Sequence, residues 1–343
     1  MTKQLIKSLQ VFRGLAALAV VVHHTSVSTD AFVQTVPASW MQAFGLGALG
    51  VDFFFVLSGF IIMHAHMREA GNPAAIKPYL AKRLARIFPA YWPIGLALLG
   101  LYAAMPGMSA SGGREFSYLS SVLLLPADLP PALSVAWSLV HELLFYAVFM
   151  LWFVSRRAFG VGLVLWAAVI LAVQSAGGAT GWLRYPLSTL NLEFMLGVLV
   201  ATLHGRASLR FRPGMMIAGG GMLASTMLLM MVAGMAAGNR LGLALGLAML
   251  MLGMARWEQQ RTIAWPMPLL ALGNASYSIY LIHNPLVSVT QRVAGRLGMT
   301  WPLALLFGVV LSVGFGYVYF LWVERRAIRV FRSGGLTFAQ GKQ

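Results

Sequence analysis

Ten apolar windows follow one another along the chain, at 9–29, 45–66, 84–105, 134–154, 158–175, 188–204, 213–235, 240–255, 268–290 and 302–323. A helix of roughly 20 apolar residues crosses the hydrocarbon of a bilayer. Lipid offers no hydrogen bonds, so a spanning segment must satisfy its own backbone, as a helix does. The pattern predicts an all-α polytopic membrane protein of about ten transmembrane helices. Composition agrees, with 59% of the 343 residues hydrophobic, 10% charged and a mean hydropathy of +0.76. No soluble domain of this length could hide so much apolar surface. Lys3 and Lys7 before the first window resemble the start of a cleavable signal peptide. Arg13 interrupts that apolar run and further windows follow, so the segment reads as the first membrane helix. The eighth window is short and glycine-rich.

Basic residues orient the spans. If the amino terminus is cytoplasmic, nineteen Lys and Arg fall in inner segments and five in outer ones, with Arg13 inside the first window. That asymmetry predicts an even number of spans with both termini cytoplasmic. It also accounts for the net charge of +16 as topology rather than as a nucleic-acid surface. The chain has no cysteine, which excludes disulfides, thiolate metal sites and a cysteine nucleophile. Its seven histidines show no HExxH or comparable spacing, so no metal site is expected. Without a linker or an internal repeat, residues 1–343 read as a single transmembrane domain. The longest outer segment, roughly 106–133, contains Gly112-Gly113 and Pro130-Pro131. It is expected to carry a short interfacial or re-entrant helix around Tyr118–Leu125. The basic tail Arg325–Gln343 reads as solvated or as lying on the lipid surface.

Arg13 and His24 stand eleven residues apart in the first window. Eleven steps of about 100° return to within roughly 20° of the start, about 16 Å along the axis. Both ionisable groups share one helix face, and His23 points elsewhere. Ionisable residues inside a membrane mark functional sites by default; the competing reading is that each snorkels to the nearer interface. Counting residues inward from the predicted outer boundary gives His24, Asp52, Glu142, Glu193 and His283 similar depths on five helices. Three carboxylates and two histidines at one depth would form an acid/base centre, with interhelical hydrogen bonding as the alternative for Asp52 or Glu193. On the inner side, Arg83 and Arg86 are i and i+3, neighbours on one face at the inner end of the third span. Arg13 approaches them. Arginines without carboxylate partners suit phosphate oxygens; anchoring to anionic lipid is the competing reading.

Five stretches resemble the acyltransferase 3 family of membrane acyltransferases, especially its stand-alone exopolysaccharide-modifying (ExoZ-type) members. They are Leu9–His24 (LQVFRGLAALAVVVHH), Gly50–Ile62 (GVDFFFVLSGFII), Arg83–Trp92 (RLARIFPAYW), Trp137–Tyr146 (WSLVHELLFY) and Ser276–His283 (SYSIYLIH). The match covers the first span to the ninth in family order, with no recognisable motif over about 155–265. The resemblance implies transfer of an acyl group, usually acetyl from acetyl-CoA, to a hydroxyl of an extracytoplasmic or lipid-linked carbohydrate. It implies a multi-pass protein of a bacterial inner membrane, partnered by acyl-CoA, a carbohydrate acceptor and membrane lipids. Carried onto this sequence, His24 is the catalytic histidine, and Arg13, Arg83 and Arg86 contact the coenzyme. Many relatives add a carboxy-terminal periplasmic domain, which is not expected here. Acyl transfer to an alcohol needs a base and oxyanion stabilisation. The expected arrangement makes neutral His24 the base, with Asp52 or Glu142 fixing its tautomer. Glu193, Tyr280 and His283 complete the candidate set. An acyl-histidine intermediate is the variant. A proton-coupled exporter of a sugar or lipid is the alternative function, disfavoured by the missing repeats.

Overall fold

The computed structural model describes residues 6–105, 115–205, 213–233, 237–261 and 263–333. Every expected window carries a helix, and no strand occurs among the described residues. In order these are α1 (Lys7–Phe32), a short α2 (Ala38–Gly45), α3 (Gly50–His66), α4 (Ile76–Ala104), a short α5 (Tyr118–Leu123), α6 (Trp137–Val154) and α7 (Arg156–Ser175). They continue with α8 (Leu190–His204), α9 (Pro213–Ala233), α10 (Ala237–Gln260), α11 (Met267–Arg296), α12 (Trp301–Tyr319) and α13 (Arg325–Ser333). Eight helical segments are long and apolar enough to cross a membrane. The remaining two expected spans are α8, with 15 residues, and the more polar α11, with 30. The chain is an all-α polytopic membrane protein. The eighth window extends to a helix of 24 residues. The short outer helix falls at α5, ended by Leu124 in a left-handed conformation (φ 56°). Residues 106–114 and 334–343, which include the glycine pair and most of the expected tail, lie outside the described residues.

Relative directions follow from which residues meet. Along α1 and α11, Gln10 meets Asn274, His24 meets His283, and Thr29 donates to Gln291, so the two helices run parallel. Along α3 and α8, Phe55 packs on Phe194 and Phe60 on His204, so these also run parallel. Parallel first and ninth spans, and parallel second and sixth, are what an unbroken alternation of crossings requires. A single span missed between the first and the ninth would have made α1 and α11 antiparallel.

Two close crossings fix these contacts. On α1 a Cβ at Gly14 would lie 2.8 Å from the Gly273 amide, and one at Gly273 would lie 2.0 Å from the Gln10 carbonyl. On α3 and α8, Cβ atoms at Gly59 and Gly197 would lie 2.0 and 1.9 Å from the Phe194 and Val56 carbonyls. Small residues let backbones approach where no hydrophobic effect pulls helices together. The buried share of the apolar window is 67% around α3 against 11% in α7 and 17% in α9. That contrast puts α3 at the centre and leaves α7 and α9 facing lipid.

The first turn of α1 has no side-chain cap from its own flanking residues. Instead Glu258, at the end of α10, accepts from the Lys7 and Ser8 amides at 2.9 Å each and from Ser8 Oγ at 2.6 Å. A carboxylate there satisfies orphan amides and complements the helix dipole. After α12 the chain makes one π-helical turn, Phe320–Glu324. The wider turn brings Glu324 inside, where it accepts from Ser278 Oγ at 2.6 Å; single π turns are frequent at functional sites.

Candidate active site

A cavity of about 450 Å³ lies between α1, α3, α4, α6 and α11. This falls within the size range of ligand pockets, about 300–1,000 Å³. One end is lined by Ile6, Gln10, His64 and Ala65, the other by Val51, Phe54, Ser138 and Tyr280. Between them stand Arg13, Arg83, Arg86, Glu142 and Tyr146. Helix α4 begins at Ile76, earlier than its apolar window suggests, so Arg83 and Arg86 sit two to three turns into the helix rather than at its inner end. Arg83 packs its guanidinium 5.8 Å from the ring centre of Tyr79 and 5.7 Å from that of Tyr146. Its buried Nε has no hydrogen-bond partner. Among the described residues, the guanidinium groups of Arg13 and Arg86 make no hydrogen bond to protein, although both groups line the cavity.

Carboxylates are nearby but otherwise engaged. Glu142 accepts from Tyr146 Oη at 2.5 Å and Ser58 Oγ at 3.2 Å. Glu324 is held by Ser278, and both carboxylates lie within electrostatic reach of Arg13 and Arg86. This corrects the expectation of arginines without acidic neighbours. The two carboxylates temper the charge of Arg13 and Arg86 without occupying their planar donor forks. Such forks bind phosphate or carboxylate in a bidentate manner. Glu142 therefore belongs to the arginine cavity, not to a histidine centre. Glu324 was missed because it stands one residue past the tenth window, beside Arg325-Arg326, where it reads as a boundary residue.

His24 and His283 form a separate pair. His283 Nε2 lies 3.2 Å from His24 Nδ1, with ring centres 5.0 Å apart. His24 Nδ1 is also 3.0 Å from the Val20 carbonyl, and His283 Nδ1 is 2.7 Å from the Tyr280 carbonyl. Neither histidine lines the cavity, but Tyr280 does, and its ring centre is 5.7 Å from that of His283. Tyr280 Oη is held by Ser138 at 2.8 Å and the Val135 carbonyl at 3.0 Å, and Phe54 packs 6.0 Å from its ring. Tyr280 is thus the joint between cavity and histidine pair. His23 lies beside His24 on the same helix, its Nδ1 buried without a partner.

Asp52 is elsewhere. Arg240 at the start of α10 grips it with both ends of the fork, Nε to Oδ1 at 3.0 Å and Nη2 to Oδ2 at 3.1 Å. Glu193 lies within electrostatic reach of Asp52 and Arg240, and its Oε2 is buried without a partner. The expected five-group centre is therefore three separate clusters: His24 with His283, Glu142 with the arginines, and Asp52 with Glu193 and Arg240. Neither Asp52 nor Glu142 orients His24. Depth along a helix does not give direction around it. The available signal was Asn239-Arg240 at the head of a window, which loop counting absorbed as an outer charge.

The acyltransferase domain family, acyltransferase 3, matches residues 6–321. The chain belongs to this family. It is a multi-pass membrane acyltransferase. The exopolysaccharide production protein ExoZ of Rhizobium meliloti (strain 1021) is 29% identical over 315 residues, 86% of this chain and 93% of that protein. The acyltransferase MdmB of Streptomyces mycarofaciens is 26% identical over 329 residues, 84% of this chain and 81% of that protein. The peptidoglycan O-acetyltransferase OatA of Listeria monocytogenes is 23% identical over 216 residues, 58% of this chain but 29% of its own length. No solved structure matches the chain.

Proposed function

We propose that this acyltransferase moves an acyl group, acetyl by preference, from cytoplasmic acyl-CoA to a hydroxyl of an extracytoplasmic or lipid-linked carbohydrate in a bacterial inner membrane. The observation that carries the reading is the cavity itself. Three guanidiniums present donors to it, and Tyr280 connects its far end to a histidine pair. In this reading Arg13, Arg83 and Arg86 hold coenzyme phosphates, and the thioester end reaches toward Tyr280. His24 Nε2 takes the proton of the attacking hydroxyl. The oxygen bonds to the thioester carbonyl carbon, the C–S bond breaks, and the departing thiolate takes the proton from His24. Atoms and charge balance without an external proton. The carbohydrate class is supported by what ExoZ and OatA are named for, and the donor side by the Lys/Arg asymmetry of the loops.

The test uses purified protein in sealed, uniformly oriented vesicles. Acyl-CoA supplied only to the cytoplasmic face should acylate an acceptor confined to the opposite face. His24→Ala should abolish that transfer, a loss of at least about 10²–10⁴-fold for a removed base, while His23→Ala keeps substantial activity. Transfer only when donor and acceptor share a compartment refutes the through-membrane arrangement. Full activity in His24→Ala refutes the base.

A further inference from the structure

We infer that His283 is a positioning residue that holds His24 in the tautomer protonated at Nδ1, leaving Nε2 bare to accept the hydroxyl proton. The inference rests on His24 being the base, and it gives a second histidine the place where a carboxylate was expected. A carbonyl oxygen only accepts. His283 Nδ1 lies 2.7 Å from the Tyr280 carbonyl, so that nitrogen carries the hydrogen. A neutral imidazole has one N–H, and His283 Nε2 is then an acceptor. The group facing it at 3.2 Å is His24 Nδ1, which also faces the Val20 carbonyl at 3.0 Å. Two acceptors converge on one nitrogen, and both are satisfied only if it bears the hydrogen.

The order runs from backbone outward: the Tyr280 carbonyl sets His283, and His283 sets His24. His283 is fully buried, so water does not compete for its Nε2. When His24 takes the substrate proton, its Nδ1–H still points at a lone pair, and the imidazolium is stabilised without a buried anion. A neutral partner gives up Coulombic stabilisation of that cation, and it avoids placing another carboxylate in an apolar site. Asp52 is unavailable for the role because Arg240 holds both its oxygens. Tyr280 ties tautomer to cavity, because it supplies the carbonyl to His283 and also lines the far end of the cavity.

Histidine-¹⁵N NMR of the protein in lipid nanodiscs tests this directly, the His24 signals being identified by their loss in His24→Gln. In the unaltered protein, His24 should show a protonated Nδ1 and a bare Nε2. His283→Leu removes the acceptor and should shift the His24 signals toward a tautomer mixture. It should lower kcat by at least about 100-fold, as a mis-set catalytic histidine does, with KM for acyl-CoA within about twofold. His283→Gln, whose amide oxygen can accept, should restore the Nδ1–H signature and recover at least tenfold of that loss. Binding of coenzyme A by His283→Leu reports that it has folded, and the Gln variant carries the test if it has not. A bare Nδ1 on His24 in the unaltered protein, or unchanged His24 signals and kcat in both variants, overturns the inference. Full activity in His24→Gln, with the Nδ1–H signature present in the unaltered protein, would instead overturn the base assignment on which it stands.

Discussion

Arginines occupy two regions of this membrane interior, and the contrast between them separates architecture from chemistry. Arg240 spends its fork on Asp52 and joins α10 to α3. Arg13 and Arg86 make no hydrogen bond to protein among the described residues, and Arg83 lies against two tyrosine faces. A guanidinium in lipid is costly wherever it sits. Where a carboxylate meets both donors, the cost is offset within the fold. Where nearby carboxylates are engaged by hydroxyls instead, the donors remain available to a ligand. Residue type is the same in both regions; what differs is who holds the acid.

The largest effect that could break this contrast is on stability. Asp52→Ala leaves the partly exposed Arg240 without the carboxylate that meets both its donors, at most about the 3–5 kcal/mol lost when one partner of a fully buried pair is removed. The expected outcome is a marked fall in thermal unfolding temperature, with KM for acyl-CoA unchanged in the fraction that folds. Adding Arg240→Leu should return much of the lost stability. If donor KM rises while stability holds, Asp52 belongs to the site and the contrast collapses.

A smaller effect is expected on the other side. Arg86→Ala should raise KM for acyl-CoA by roughly 10- to 150-fold, the equivalent of about 1.5–3 kcal/mol for one charge-assisted contact, with KM for the acceptor little changed. Unfolding temperature should move little, because no protein hydrogen bond is lost. Unchanged donor titration in the Arg83→Ala, Arg86→Ala double variant would reassign both as lipid anchors. The finest distinction is Arg83→Lys. A point charge replaces a planar fork, so donor KM should recover only part of the way, measurable as a residual increase of a few-fold. Complete recovery would mean that charge alone matters at that position.

The helices were legible in the sequence because their signal is one-dimensional: an apolar run of sufficient length reports itself. The parallel pairing of α1 with α11 was implicit in the parity of the runs. The face shared by Arg13 and His24 was legible for the same reason, since periodicity within one helix needs no partner. Pairings between helices were not. Asp52, Glu142 and Glu193 fall at similar counted depths, yet Asp52 and Glu193 share a cluster with Arg240 while Glu142 turns to Tyr146. Small residues such as Gly14, Gly59, Gly197 and Gly273 mark where helices touch but not which helix each touches. Glu324 depends on a π turn, a local departure from 3.6-residue geometry that no apolar pattern announces.

The amide cap on α1 has a consequence for how the protein is made. Lys7 and its acceptor Glu258 are 251 residues apart, and the α11 face that covers α1 is synthesised later still. At about 5–20 residues per second, the first helix waits roughly 12–50 s in the membrane with its leading turn uncapped and Arg13 uncovered. An arginine at the centre of a lone span costs about 2.5–3.5 kcal/mol and less toward an end, so Arg13, nearly two turns into α1, weakens the newborn segment's hold in lipid. Retaining it until its partners emerge is a task for the insertion machinery, and biogenesis rather than catalysis is where the polar face of α1 is most exposed to failure.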